Sequence, residues 1–264
     1  MEIEKFFDSK TMSVHLQENC IPLGKKGLPG NWELVPLSEE KITREEIKEM
    51  IKEIRRDLDQ QEKSFLEIER ERSSIIQLKE YRIVTVQPPF SDNWEMTIVR
   101  PIIKLNLEDY QIPEKLRERV TQKAEGILIA GSPGEGKSTL ARALAEHYNR
   151  SGKIVKTIES PRDLLLSDKI TQYSLNYGER EEIHDVLLLS RPDNTIFDEM
   201  RSTSDFKLFS DLRLAGIGMV GVIHATNPIG SIQRFIGRIE MGMLPQVIDT
   251  LLFIRKGKID QVLK

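Results

Sequence analysis

Apolar positions along the chain follow two different rhythms, and the changeover comes near residue 110. Before it, short apolar or alternating runs dominate, at residues 12–16, 32–37, 65–70 with 75–78, 81–87 and 94–105. Runs of this length, bounded by Gly, Pro and Asn, predict strands. One helix interrupts them. Ile47, Ile51, Ile54 and Leu58 recur at helical spacing, and Thr43 followed by Glu46 forms a capping box just ahead of them. Residues 19–31 carry Pro22, Gly24, Gly27, Pro29 and Gly30, which predicts a loop, and residues 88–93 predict a turn. Residues 11–110 therefore predict an α+β domain with an antiparallel sheet. Residues 1–10 are expected to be a disordered lead.

Beyond residue 110 the rhythm alternates. A short helix over residues 113–124 is expected to serve as a linker, spanning roughly 111–125. Strand-like runs at 127–130, 154–158, 170–173, 195–197, 219–223, 250–254 and 259–262 then enclose helical patterns at 179–189, 204–214 and 229–239. Such alternation predicts a parallel sheet with helices on both faces, occupying residues 126–264. The last strand runs to the end of the sequence, so the natural chain is expected to continue.

The most informative stretch joins the first of these strands to the helix after it. Gly131-Ser132-Pro133-Gly134-Glu135-Gly136-Lys137-Ser138 fits G-x-x-x-x-G-K-[ST] at every fixed position, with Thr139 next. Glycines let the backbone curl so that successive N–H groups point inward and make an anion nest at a helix N-terminus. Lys137 can reach the β- and γ-phosphates, and the Ser138 hydroxyl can ligate Mg²⁺. This predicts a site for ATP or ADP with Mg²⁺, in a P-loop (RecA-like) α/β domain.

Composition narrows the setting only slightly. The 39 basic and 42 acidic residues nearly cancel, to a net charge of -3, which neither demands nor excludes a nucleic-acid partner. The lone cysteine, Cys20, rules out an intrachain disulfide and suits a reducing compartment. No apolar run approaches transmembrane length and the first ten residues lack a signal-peptide core, so a cytoplasmic chain without membrane insertion is expected.

Three further strand ends carry chemistry. Thr195-Ile196-Phe197 leads into Asp198-Glu199, an apolar strand followed by two carboxylates. Asp198 would orient the Mg²⁺ shell, and Glu199 would polarise an attacking water. Glu159 ends the strand of Thr157-Ile158-Glu159, and His224 ends that of Gly221-Val222-Ile223-His224. In an open parallel sheet the carboxyl ends of the strands face the ligand crevice. Glu159 is thus a rival to Glu199 as general base, or an exposed cap. His224 is either a sensor of the site or a packing residue.

Taken together, the P-loop, Thr157-Ile-Glu-Ser-Pro-Arg162, Ile196-Phe-Asp-Glu-Met-Arg201 and Gly221-Val-Ile-His-Ala-Thr226 resemble the Walker A, Asp box, Walker B and His box of the secretion ATPase superfamily. More closely, residues 11–262 are similar to the central part of archaeal ATPases that carry a PIN domain before it and a KH domain after it. Two departures stand out. Asp198 stands where the secretion family usually has Gly, and Ser160 where it has a second acidic residue.

The resemblance implies a hexameric motor that hydrolyses ATP, with its smaller N-terminal domain reaching the nucleotide of a neighbouring subunit through arginines. Arg100 and Arg82 match that segment, or are exposed strand arginines. Arg201 matches the family's Glu-Met-Arg, which implies a contact to phosphate or support of the site, and Arg234 and Arg238 fall in a segment resembling subunit contacts, or line a solvated helical face. The PIN and KH relatives imply action on nucleic acid, such as branched DNA. The alternatives are a secretion or pilus motor acting on a protein, and a nucleotide-gated scaffold. Lys25 and Lys26, flanked by glycines, are expected to touch a phosphate backbone or to form a solvated turn. No aromatic residue interleaves them in the sequence, so base stacking is not expected.

Overall fold

The computed structural model describes residues 2–28, 31–58, 64–100, 105–162 and 164–264. The chain divides into two compact units, Met1–Ile103 and Lys104–Lys264.

The first unit is built on strands β1 (Thr11–Gln17), β2 (Leu23–Leu28), β3 (Asn31–Pro36), β4 (Phe65–Arg70), β5 (Ser73–Leu78), β6 (Tyr81–Val86) and β7 (Glu95–Val99), with helix α1 (Arg44–Leu58). Among the described residues they form a seven-stranded sheet in the order β3-β2-β1-β7-β6-β5-β4, antiparallel throughout. Alternation decides which face is covered. Val14, Leu16, Ile76, Leu78, Ile83, Met96 and Ile98 point to one side, where Ile47, Met50 and Ile54 of α1 bury against them. The capping box forms as expected: the Thr43 amide donates to Glu46 at 2.7 Å and the Glu46 amide to Thr43 Oγ1 at 3.2 Å.

Two expectations for this unit are corrected. The lead is ordered, with a 3₁₀ turn over Glu2–Phe6 whose Ile3 is buried in the core. The expected loop at 19–31 contains β2, paired with β1 on one side and β3 on the other, Gly24 itself taking a place in both ladders. Lys25 and Lys26 therefore lie on a strand. Lys26 is tied to Asp8 at 2.7 Å, and Lys25 Nζ sits 3.8 Å over the Trp32 ring, brought there by the β2–β3 pairing. The expected strand 94–105 is β7 as far as Val99; residues 101–104 lie outside the described residues.

The second unit contains β8 (Gly126–Gly131), β9 (Val155–Glu159), β10 (Thr171–Ser174), β11 (Asn194–Phe197), β12 (Gly218–His224), β13 (Thr250–Arg255) and β14 (Lys258–Leu263). Its helices are α2 (Glu114–Glu118), α3 (Lys137–Arg150), α4 (Arg180–Ser190), α5 (Thr203–Leu214), α6 (Pro228–Gln233) and α7 (Leu244–Val247). Among the described residues the sheet order is β10-β9-β11-β12-β8-β13-β14, parallel except for the final β13–β14 hairpin. Strands buried on both faces explain the continuous apolar runs. One face packs on α3 through Leu140 and Leu144, and the other on α4 and α5 through Leu187, Phe206 and Phe209.

The segment expected as a linker helix differs. It is α2 continued by a π-type turn over Arg119–Lys123, and Leu107, Tyr110 and Val120 around it are buried in the core of this unit. The expected helix 229–239 stops at Gln233. Past its end, Phe235 turns inward to the core, and Gly237 takes a left-handed conformation (φ 80°).

Candidate active site

The parallel order aligns the carboxyl ends of β8, β9, β11 and β12, so the P-loop, Glu159, Asp198-Glu199 and His224 gather at one edge of the sheet. The loop can curl because Gly134 and Gly136 adopt φ of 77° and 93°. Gly131 has no room for a side chain, since a Cβ there would come within 2.5 Å of the Ile254 carbonyl oxygen. At its tip the loop is strapped to the β13–β14 turn: Gly257 N donates to the Glu135 carbonyl at 3.0 Å, and Lys256 N donates to the Glu135 carboxylate.

Lys137 is buried, and its ammonium donates to the Ser132 carbonyl across the loop at 2.7 Å. Burial lowers its pKa, against the opposing pull of the Asp198, Glu199 and Glu135 carboxylates. Ser138, one residue on, donates its hydroxyl to both oxygens of Asp198, at 3.0 and 3.1 Å. Asp198 is itself buried. Burial first, and the neighbouring Glu159 second, push its pKa up to about 7.

Glu159 and Glu199 sit in different surroundings. Glu159 is fully buried: Oε1 accepts from Thr157 Oγ1 at 2.5 Å and Gln172 Nε2 at 2.9 Å, and Oε2 from the Leu164 amide at 3.0 Å. Glu199 is partly open to solvent and has a left-handed backbone (φ 64°), a conformation that costs a non-glycine residue energy and turns its side chain out of line with the strand. His224 Nε2 lies 2.8 Å from Glu199 Oε1, and Arg201 Nη2 lies 2.5 Å from Oε2. Burial would raise the Glu199 pKa, but the hydrogen bonds from His224 and Arg201 outweigh it and hold it low. With Nε2 donating, His224 Nδ1 is left buried and without a partner.

Behind this pair stands support that the sequence reading passed over. Ser202 caps α5, and Asp205 accepts from the amides of Arg201 and Ser202 at 2.8 and 2.7 Å and from Arg180 Nε at 2.7 Å. Asp205 thereby fixes the backbone of Arg201, which holds Glu199. The Ser202-x-x-Asp205 spacing was the available signal. Arg234 Nη1 donates to the His224 carbonyl at 2.7 Å.

The donors suit Mg²⁺. A hydroxyl and a buried carboxylate already pointed at each other, with a second carboxylate repelling the first, form an anionic pocket that a hard cation relieves. Among the described residues no group of three or more His, Cys, Asp or Glu is placed to hold a metal alone. That accords with Mg²⁺ held by one or two protein oxygens together with substrate phosphates.

Arg100 and Arg82 belong to the first unit. The Arg100 guanidinium donates to the carbonyls of Asp8 and, at 3.3 Å, Thr11, and lies 4.9 Å over the Phe7 ring. Arg82 lies in β6, opposite Val99 of β7.

Residues 92–255, more than half of the chain, match the family described as Type II/IV secretion system protein. The chain belongs to this family. As a member of it, the chain is similar along 99% of its length to the Holliday junction branch migration ATPase PINA of Sulfolobus acidocaldarius, 56% identical over 262 residues that make up 51% of that protein. It is also 52% identical over 260 residues to the KH and PIN-domain containing protein MJ1533 of Methanocaldococcus jannaschii, covering 98% of this chain and 40% of that one. The chain spans about half the length of these relatives, or less. Among solved structures, the pilus retraction motor PilT with bound ADP superposes with a TM-score of 0.70 at 17% identity, over 96% of this chain and 76% of that one. The Legionella pneumophila ATPase DotB gives 0.65 at 14%, over 93% and 72%. The resemblance to the secretion ATPase superfamily and to the archaeal PIN and KH relatives, and the expected fold class, are borne out. Among the described residues no helix is long and apolar enough to cross a membrane.

Proposed function

We propose that this chain is the ATP-hydrolysing part of a ring-forming, hexameric motor in the cytoplasm that acts on branched DNA. The observation that carries the hydrolysis is the meeting of Ser138 and Asp198 beside Lys137, with Glu199 next to Asp198 at the end of the same strand, β11. The DNA substrate rests on the name of the 56% identical relative. The family's description supports a second reading, a motor acting on a secreted or pilus protein.

On this reading, the loop amides and Lys137 bind the β- and γ-phosphates, and Lys137 exchanges the Ser132 carbonyl for them. Ser138 and Asp198 would hold Mg²⁺, which would supply charge neutralisation at the phosphates. Glu199, kept anionic by His224 and Arg201, accepts a proton from the attacking water. The oxygen of that water bonds to the γ-phosphorus as the bond to the β–γ bridging oxygen breaks, giving ADP and phosphate. Glu159, enclosed by donors, serves by its charge rather than as the base. Arg100, with Arg82, reaches the nucleotide of the adjacent subunit.

The test is steady-state ATP hydrolysis with no DNA, with linear duplex and with a four-way junction. The junction is expected to accelerate turnover more than equal base pairs of linear DNA. Identical rates in all three would move the reading to a protein substrate.

A further inference from the structure

Arg234 and Arg238 follow α6 on the far side of the His224 carbonyl, and both guanidiniums lie against the buried Phe206 ring, at 5.4 and 4.9 Å from its centre. Their partners are neutral. Arg234 donates to the His224 carbonyl, and Arg238 donates to the Arg234 carbonyl and, at 3.3 Å, to Thr203 Oγ1. Among the described residues no carboxylate pairs with either. Asp205, in the first turn of α5, is engaged by Arg180, and Glu199 is engaged by Arg201 and His224. Two cations are thus held against one aromatic ring, with no carboxylate among the described residues to balance them. Their mutual repulsion, after burial, lowers the Arg234 pKa.

A protein does not gain stability from two like charges gathered in this way; such an arrangement is useful when an anion comes between them. The held N–H groups and the shared ring fix the orientation of both guanidiniums in advance, which reduces the entropy lost on binding. Each guanidinium keeps further N–H groups beyond these bonds, and they can donate to the oxygens of a tetrahedral oxyanion. A carboxylate would neutralise one of the two cations, and a phosphate dianion neutralises both. The start of α5 at Thr203 adds the partial positive charge of a helix N-terminus beside Arg238.

We propose that Arg234 and Arg238 form an anion subsite for a phosphate dianion, separate from the P-loop. Two sources share that chemistry: the inorganic phosphate released by hydrolysis, and the terminal phosphate of a nucleic-acid strand. Assigning the first as the natural ligand rests on the hydrolysis proposed above; the binding itself does not.

The experiment is a calorimetric titration of inorganic phosphate into the protein saturated with Mg²⁺ and a non-hydrolysable ATP analogue, so that the P-loop is filled. The wild type is expected to take up one further phosphate per chain. Arg238→Gln and Arg234→Gln should weaken that uptake about tenfold or more while still binding the analogue, which shows that they are folded. Arg238→Lys, with its charge but without its fork, should fall between. Competition by a 5′-phosphorylated oligonucleotide, but not by its unphosphorylated twin, would assign the site to strand ends; competition by neither assigns it to free phosphate. Phosphate uptake unchanged in both Gln variants, or absent from the wild type, overturns the subsite. Should the analogue fail to bind, the hydrolysis reading fails by itself, and the same titration on Lys137→Ala still tests the arginine pair.

Discussion

The hydroxyl of Ser138 donates to both carboxylate oxygens of Asp198, at 3.0 and 3.1 Å, across 60 residues of sequence. This contact joins the P-loop to the end of β11 and defines the proposed metal site. Asp198 is held there at a cost, since burial and Glu159 both oppose its charge. Asp198→Asn should therefore leave the nucleotide-free protein at least as stable as the wild type in thermal unfolding. It should also lower Mg²⁺-dependent hydrolysis by about a hundredfold or more, because the neutral amide is a poor ligand for a hard cation. Full hydrolysis by this variant would remove Asp198 from the site.

Glu199 and Glu159 separate by their surroundings. Glu199→Gln should bind ATP normally and turn it over about 10²–10⁴ times more slowly, with little loss of stability. Glu159→Gln places an amide group against donors from Gln172 and Leu164, and should destabilise the fold by about 1–3 kcal/mol in urea unfolding. Unaltered turnover in Glu199→Gln, beside an inactive but stable Glu159→Gln, would exchange the two roles.

Asp205 provides a pH test of the support behind Glu199. Burial acts to raise its pKa, but the amides of Ser202 and Arg201 and the Arg180 guanidinium prevail and hold it below the ordinary 3.8. A depressed carboxylate contributes stability that is complete above the unfolded value and is lost as pH falls through the folded one. Asp205→Asn should cost about 1–3 kcal/mol at pH 7, and the gap to the wild type should close as pH falls below 3.8. A gap independent of pH would mean that the charge of Asp205 does not matter.

Much of this site can be read from sequence because it depends on local rules. Gly134 and Gly136 announce a loop with positive φ, and the apolar runs before Glu159, Asp198 and His224 place these residues at strand ends. What was not legible depends on partners distant in sequence or on a single backbone angle. Lys25 and Trp32 meet through the pairing of β2 with β3, in a stretch whose glycines and prolines read as a loop. The apolar spacing through Ile232 and Ile236 still reads as helical although α6 has ended at Gln233. The hold of Arg201 on Glu199 needs the left-handed turn at Glu199, which no residue type there signals.

Arg100 is anchored within its own unit by the Asp8 and Thr11 carbonyls, and the proposal also sends it to a neighbouring subunit. Arg100→Ala should bind nucleotide yet hydrolyse it about 10³-fold more slowly, as for other arginines that act in trans. Mixed with Lys137→Ala subunits, it should recover part of the activity, since some interfaces of a hybrid ring are intact on both sides. No recovery while subunits are shown to exchange would leave Arg100 a structural residue of the first unit.

Phosphate release from ATP with Mg²⁺, compared between the wild type and Lys137→Ala, decides whether the P-loop and its facing carboxylates make an ATP-hydrolysing site. Lys137 is the cation built into the loop, and its removal should abolish turnover. The account predicts steady release by the wild type and none above background by the variant. Equal release by both, or none by the assembled wild type, would contradict it.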